Sequence, residues 1–153
     1  MAFDDITVRE ARDRQRDGYT YVDVRSVPEY DNGHPEGAVN VPLLNLDAHS
    51  GQMMANREFL DVMRANFRSN ARLLIGCQSG ARSAQAAEML ALAGFDDVLN
   101  VTGGFAGARD PMTGAVHAEG WTQAGLPVET AHVEGHSYED LHATLAEQGP
   151  VAE

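Results

Sequence analysis

One stretch, from Leu73 to Ser83, constrains the fold of this chain more than any other. An apolar run, Leu73 to Gly76, leads directly to Cys77, the only cysteine, and small and polar residues follow before a helix-like segment begins. A strand that passes straight into a helix is typical of parallel α/β sheets, whose ligands bind at the carboxyl ends of the strands. The stretch therefore predicts a thiol at such an edge, at the entrance to a helix.

The surroundings of Cys77 indicate a reactive thiol. The first turn of a helix presents unpaired backbone N–H groups at the positive end of the helix dipole, which favours the nucleophilic thiolate form of a cysteine. Gly80 can adopt a positive φ that turns amides inward, and Ser79 and Ser83 supply hydroxyl donors. The alternative is an inert core thiol, since free cysteines are among the most buried residues.

Composition and charge narrow the class of protein. The 153 residues, 43% of them hydrophobic, suit one domain of ordinary size. A single cysteine allows no intramolecular disulfide, and the first twenty residues contain no apolar run typical of a signal peptide or membrane span, so we expect a cytoplasmic protein. The formal net charge of −12 argues against nucleic acid or an anionic membrane as a partner.

Alternating patterns along the chain predict an α/β domain. A capping box at Thr7 and Glu10 begins a helix that ends near Gly18. Strands alternating with helices imply a parallel sheet with right-handed crossovers and helices on both faces. We predict strands at 19–24, 38–41, 72–76 and 97–101, helices at 57–68 and around 84–91, a Gly-rich loop at 106–120, and a short helix from Ser137 to Gln148.

Two charged residues, Asp23 and Arg25, lie at the carboxyl end of the predicted strand 19–24. Because the carboxyl ends of parallel strands meet at one edge of a sheet, we expect both residues at the same edge as Cys77. They could orient the loop that follows the cysteine. The alternative is a structural ion pair of Arg25 with Glu29 or with the loop.

The histidines give no sign of a metal site. His34 follows a glycine in a predicted turn, and we interpret it as a hydrogen-bonded structural residue. His132, His136 and His142 lie in a segment whose helical spacing is interrupted by Gly135, and no cysteine accompanies them. We therefore expect a solvated tail there, with no metal and no cofactor.

Three ordered motifs cover residues 5–129. The first is Asp23-Val24-Arg25, Glu29-Tyr30 and Gly33 to Pro42, the second is Cys77 to Ser83, and the third is Gly103-Gly104-Phe105, Trp121 and Gly125-Leu126-Pro127. Together they resemble the signatures of single-domain rhodaneses, the thiosulfate sulfurtransferase-like family of plants and bacteria. The resemblance implies a rhodanese-like domain over 1–129, with a central, mostly parallel five-stranded sheet and helices on both faces. Residues 130–153 have no counterpart in the family, and their composition predicts an acidic tail that includes the short helix.

The third motif departs from the family pattern. The family commonly has a tryptophan a few residues after the Gly-Gly pair, whereas here the segment 106–120 comes before Trp121. Insertions of this kind usually lie in surface loops, so the expected fold is unaffected. We expect the insertion to influence the rim of the pocket and thus the choice of substrate.

The resemblance also implies a reaction, the two-step transfer of a sulfane sulfur. Cys77 attacks the outer sulfur of thiosulfate or a similar small anionic donor, expels sulfite and becomes a persulfide, from which a thiol or cyanide removes the sulfur. Arg82 is the candidate contact for the donor's sulfonate, the alternative being a salt bridge that fixes the loop. The persulfide-binding loop comprises Gln78, Ser79, Gly80, Ala81, Arg82 and Ser83, whose N–H groups stabilise the thiolate and then the persulfide.

Two other functions stay open at this point. Cysteine phosphatases and arsenate reductases need one more residue between cysteine and arginine to enclose a tetrahedral anion, whereas four separate Cys77 from Arg82. A persulfide carrier or regulatory rhodanese module would instead act on a protein partner. Turnover of thiosulfate with cyanide, as opposed to transfer to a protein acceptor only, distinguishes these functions.

Overall fold

A parallel sheet organises the residues that the computed structural model describes, 3–47 and 49–148. The strands are β1 (Asp4–Ile6), β2 (Thr20–Asp23), β3 (His34–Pro35), β4 (Val39–Asn40), β5 (Leu44–Leu46), β6 (Met53–Ala55), β7 (Arg72–Gly76), β8 (Asp97–Val101), β9 (Ala108–Arg109), β10 (Val116–Ala118) and β11 (Val128–Glu129). The helices are α1 (Val8–Arg16), α2 (Val27–Asp31), α3 (Phe59–Asn66), α4 (Ala81–Leu92) and α5 (Tyr138–Gln148).

The central sheet has five strands in the order β1-β8-β7-β2-β4, and each neighbouring pair is parallel. Strand β7, which leads to Cys77, pairs with β2 on one side and β8 on the other, so its carboxyl end lies at the centre of the sheet edge. The predicted α/β fold with a five-stranded parallel sheet is confirmed.

The burial of strand β7 on both faces of the sheet explains its apolar sequence. Leu73 and Ile75 lie in one buried cluster, together with Val22 of β2, whereas Leu74 lies in the other, together with Tyr21. Successive side chains of a strand point to opposite faces of the sheet. Because both faces are covered, the strand appears in the sequence as a continuous apolar run.

Helices cover both faces. On one face, α3, α4 and α5 contribute Met63, Leu90 and Leu141 to the core. On the other, α1 contributes Val8 and Ala11. None of the helices within 3–47 and 49–148 is long and apolar enough to cross a membrane.

Residues 106–120 and the carboxyl-terminal segment depart from their predicted form. Residues 106–120 include the antiparallel pair β9 and β10 rather than only a loop. The predicted helix after Ser137 is present, and the Asp140 amide donates to Ser137 Oγ at 3.2 Å. The prediction of a solvated tail is wrong for this helix, because Leu141 is only 5% exposed and packs in the same cluster as Phe59.

Candidate active site

Cys77 follows the last residue of β7, and three residues separate it from the start of α4. Its side chain is 2% exposed. The Gly80 amide donates to Cys77 Sγ at 3.0 Å, and the thiol lies 3.4 Å from Ser83 Oγ, whose hydroxyl donates to the Gly80 carbonyl at 3.1 Å. A backbone donor in contact with the sulfur favours negative charge there.

The backbone of Gly80 produces this arrangement. Gly80 is the N-cap of α4 and has φ +108°, a conformation that side-chain-bearing residues rarely adopt. This turn brings its N–H onto the sulfur at the start of the helix, where a negative charge also meets the positive end of the helix dipole. The turn therefore places one backbone donor, the Gly80 N–H, in contact with the sulfur.

The backbone of residues 105 and 106 forms hydrogen bonds with the loop that contains Cys77. Phe105 N donates to the Cys77 carbonyl at 2.7 Å, and Ala106 N donates to the Gln78 carbonyl at 2.9 Å. Gly104 makes this approach possible, since a Cβ there would overlap the Cys77 carbonyl, and its φ of +58° is left-handed. This contact gives Gly104, which belongs to the Gly103-Gly104 pair of the third motif, a role in supporting the loop.

Arg82 forms a salt bridge across the mouth of the loop. Its two terminal nitrogens donate to the two carboxylate oxygens of Glu29 at 2.8 and 3.0 Å. Glu29 Oε1 also accepts from the backbone N and the hydroxyl of Ser26, at 3.0 and 2.9 Å, which is the capping box of α2. Of the two roles considered for Arg82, the structure thus contains the salt bridge.

The hydrogen bonds from Arg82 lower the pKa of Glu29 from its usual 4.5 to about 2, with the Ser26 hydrogen bonds and the charge of Arg82 acting in the same direction and burial opposing them. A lowered pKa in the folded state means that ionised Glu29 stabilises the fold above pH 4.5, and that this contribution disappears as the pH falls towards 2. We expect wild type to be more stable than Glu29→Gln at pH 6, with the difference shrinking towards pH 2. Urea midpoints across this range test it, and a difference independent of pH would contradict it.

Asp23 and Arg25 form a buried ion pair beside the loop. Arg25 Nη2 lies 2.8 Å from Asp23 Oδ2, and the two side chains are 3% and 1% exposed. Arg25 also donates to the Gly33 carbonyl at 2.6 Å and to Gln78 Oε1 at 3.2 Å, and its guanidinium carbon lies 4.4 Å from the centre of the Phe105 ring. Arg25 therefore both forms a structural ion pair and contacts the loop, but its carboxylate partner is Asp23 rather than Glu29.

Two small cavities lie on either side of Glu29. One, of about 230 Å³, is lined in part by Arg25, Gln78 and Phe105. The other, of about 370 Å³, is lined in part by Met53 and Arg82. Each is of a size for a small molecule and is lined by one side chain of the predicted loop, whereas the buried Cys77 lines neither. They are the candidate approaches to the loop.

A third cavity, of about 560 Å³ and larger than these two, lies elsewhere. It is lined by Thr20 at the amino end of β2 and by Leu141 of α5. Ligands of parallel sheets bind at the carboxyl ends of strands, where Cys77 lies. The two smaller cavities, beside the loop that follows Cys77, are therefore the candidate substrate sites.

Three other residues of the predicted loop differ in their exposure to solvent. Ser79 and Ala81 are exposed on the loop, and Ser83 is buried beneath it. Sequence reasoning missed the role of Glu29 as the partner of Arg82 and that of Phe105 beside Arg25. The spacing of Ser26 and Glu29 is that of a capping box and indicates the start of a helix, but it does not indicate that Glu29 pairs with Arg82.

The histidines have other partners. His34 Nδ1 lies 2.8 Å from the Tyr30 carbonyl, and its ring stacks on Tyr30, as expected for a structural residue. His132 pairs with Asp31, and His142 lies 3.0 Å from a carboxylate oxygen of Glu58 in α3's N-cap. Across 3–47 and 49–148, no three His, Cys, Asp or Glu residues are grouped to hold a metal ion.

Comparison with known proteins identifies the family. A family model described as "Rhodanese-like domain" matches residues 7–110, more than half of the chain. The chain belongs to the rhodanese-like family. The family expectation drawn from the three motifs is therefore confirmed.

Relatives and a solved structure agree with this membership. The rhodanese-like chain is 36% identical over 124 residues to "Thiosulfate sulfurtransferase 16, chloroplastic" of Arabidopsis thaliana, covering 81% of this chain and 91% of that protein. It is 37% identical over 124 residues to "Senescence-associated protein DIN1" of Raphanus sativus, of whose length the match spans only 60% against 81% of this chain. The crystal structure of Rv0390 from M. tuberculosis superposes with a TM-score of 0.67 at 31% identity, covering 83% of this chain and 97% of that one.

Proposed function

We propose that this rhodanese-like protein is a sulfurtransferase that moves a sulfane sulfur from thiosulfate or a similar donor to cyanide or a thiol, through a persulfide on Cys77. The observation that carries the proposal is the Gly80 amide on Cys77 Sγ at 3.0 Å. A relative that covers most of its own length in the match is named a thiosulfate sulfurtransferase. The name of that protein supports the donor class.

In the first step, the Cys77 thiolate forms a bond to the outer sulfur of thiosulfate. The sulfur–sulfur bond of the donor breaks, and its electron pair leaves with sulfite. In the second step, cyanide or a thiolate attacks the outer sulfur of the persulfide, and the Cys77 thiolate leaves with the electron pair. No net oxidant or reductant is needed, and the enzyme returns to its starting state.

The loop supplies the electrostatic part of this cycle. The attacking thiolate, and the persulfide that thiosulfate leaves on Cys77, each place negative charge on sulfur, and the Gly80 N–H is a fixed donor at Cys77 Sγ. Because the Gly80 N–H is held by the turn at the start of α4, it needs no reorganisation when the sulfur is charged. Asp23 and Arg25 act through Gln78 as positioning residues of the loop.

A persulfide carrier that serves a protein acceptor is the second candidate. Met53 is 41% exposed where it lines the cavity beside Arg82, and its neighbour Met54 is 52% exposed. Flexible exposed methionines are common on surfaces that bind other proteins. Steady turnover with cyanide or a small thiol favours the enzyme, and transfer to a protein only favours the carrier.

We propose a cytoplasmic location, where a lone thiol such as Cys77 stays reduced. The Arabidopsis relative is a chloroplastic protein by name. Phosphatase and arsenate reductase activities are not part of the proposal, since the four-residue spacing between Cys77 and Arg82 is short for a tetrahedral anion and Glu29 binds both terminal nitrogens of Arg82.

Mass spectrometry of the intact protein after treatment with thiosulfate tests the proposal. We expect a gain of about 32 Da, one sulfur atom, located on the peptide that contains Cys77 and removed by cyanide or a dithiol. Cys77→Ser is the matched control, since it keeps the size and a hydroxyl in place of the thiol but cannot form a persulfide. An unchanged mass for wild type, or an equal gain in the variant, would overturn the mechanism.

A further inference from the structure

Arg82, one of two arginines beside the loop, is paired with a carboxylate. Arg82 contributes both terminal nitrogens to Glu29, so its charge is balanced by a carboxylate in a two-point contact. Glu29 stays ionised at neutral pH, because the pKa of its carboxyl is lowered to about 2. The pair is held in place by the Ser26 hydrogen bonds on the carboxylate.

The second cation beside the loop is neutralised as well. Arg25 pairs with Asp23 through three side-chain hydrogen bonds of 2.8 to 3.1 Å. Its remaining contacts are the Gly33 carbonyl, Gln78 and the face of the Phe105 ring. Asp23 and Glu29 balance the charges of Arg25 and Arg82, and three of these four side chains, Arg25, Glu29 and Arg82, line the two candidate cavities.

We propose that Glu29 is a specificity-determining residue that disfavours doubly charged donors and selects, as the preferred substrate class, alkyl persulfides with at most one negative charge. The proposal rests on the sulfur transfer through Cys77 proposed above. Thiosulfate carries two negative charges and approaches a carboxylate that lines both cavities. The repulsion grows with the charge of the donor, so a persulfide is penalised less.

Sulfur transfer from a persulfide balances in the same way as transfer from thiosulfate. The Cys77 thiolate bonds to the terminal sulfur of the donor R–S–SH, the donor's sulfur–sulfur bond breaks, and the electron pair leaves with the thiolate R–S⁻. The terminal sulfur keeps its proton, and Cys77 becomes the persulfide. The products carry one negative charge in total, as the reactants do.

Glu29→Gln provides the test, because glutamine keeps the shape of the side chain and suits the N3 position of a capping box but removes the charge. We expect kcat/KM for thiosulfate to rise about fivefold or more, mainly through a lower KM, relative to kcat/KM for hydroxyethyl persulfide. The matched control is Glu36→Gln, which changes net charge equally at the salt bridge with Arg12, beside the cavity at the amino end of β2. It should leave the ratio of the two donors unchanged.

Three other outcomes would contradict the specificity proposal. If Glu29→Gln leaves the donor ratio unchanged, or lowers both donors equally, Glu29 only supports the loop and the specificity proposal is overturned. An equal rise of the ratio in Glu36→Gln would also overturn it, because the effect would then be one of net charge. If neither donor loads Cys77 of wild type, the proposed function fails and the specificity proposal fails with it.

Discussion

Replacing Gly104 by alanine is expected to slow the loading of Cys77 with sulfur by about 100-fold, the size of effect produced when a reacting group moves by about 1 Å. The added Cβ would overlap the Cys77 carbonyl and the backbone of Gln78, neither of which is a flexible side chain that can swing away. The loop must shift, and with it the donor on the sulfur. The initial rate of persulfide formation, followed by mass, measures this.

A control separates the clash from backbone strain. Gly125 has φ +69°, close to the +58° of Gly104, but a Cβ there meets no heavy atom within 4 Å. Gly125→Ala should therefore lose about 1 kcal/mol of stability through its left-handed backbone and keep the rate of loading. Equal rates in the two variants would show that the contact between Gly104 and the loop has no bearing on Cys77.

Loss of the buried arginine should give the largest change in stability. Arg25→Gln leaves Asp23 as an unpaired carboxylate at 1% side-chain exposure, and removing one partner of a buried pair costs about 3–5 kcal/mol. Urea unfolding monitored by the Trp121 fluorescence and by circular dichroism measures the loss. The matched control is Arg9→Gln, which breaks an exposed pair with Glu119 and should change the midpoint little.

A double variant distinguishes an unpaired charge from lost packing. If the cost of Arg25→Gln comes from the uncompensated carboxylate, adding Asp23→Asn should restore part of the stability, since the charge is then removed. A double variant that is less stable than Arg25→Gln would instead assign the cost to the contacts of Arg25 with Gly33 and Phe105.

Local patterns predicted much of this fold. Strands β7 and β8 begin and end at the predicted residues, since buried parallel strands appear as apolar runs between polar residues. The capping box at Thr7 is present, with reciprocal hydrogen bonds of 3.0 and 3.1 Å between Thr7 and Glu10. These features depend on residues close together in the sequence.

Features that depend on distant residues were not predictable. Strand β1 has three residues and acquires its partner only where β8 lies beside it, 95 residues further along the chain. The partner of Arg82 is 53 residues away, in a helix of five residues that no apolar period marks. The packing of α5 on the core likewise depends on the position of α3, so its sequence alone resembled an acidic tail.

The donor on Cys77 belongs to the main chain, and this limits what side-chain substitution can reveal about the loop. Alanine substitution of Gln78, Ser79, Arg82 and Ser83 would remove hydroxyls, an amide and a guanidinium, yet leave the Gly80 N–H in contact with the sulfur. Such a scan would measure how the loop is supported rather than how it holds charge. Replacing the amide of Gly80 by an ester, through chemical synthesis of the segment, removes that donor atom alone and addresses the sulfur directly.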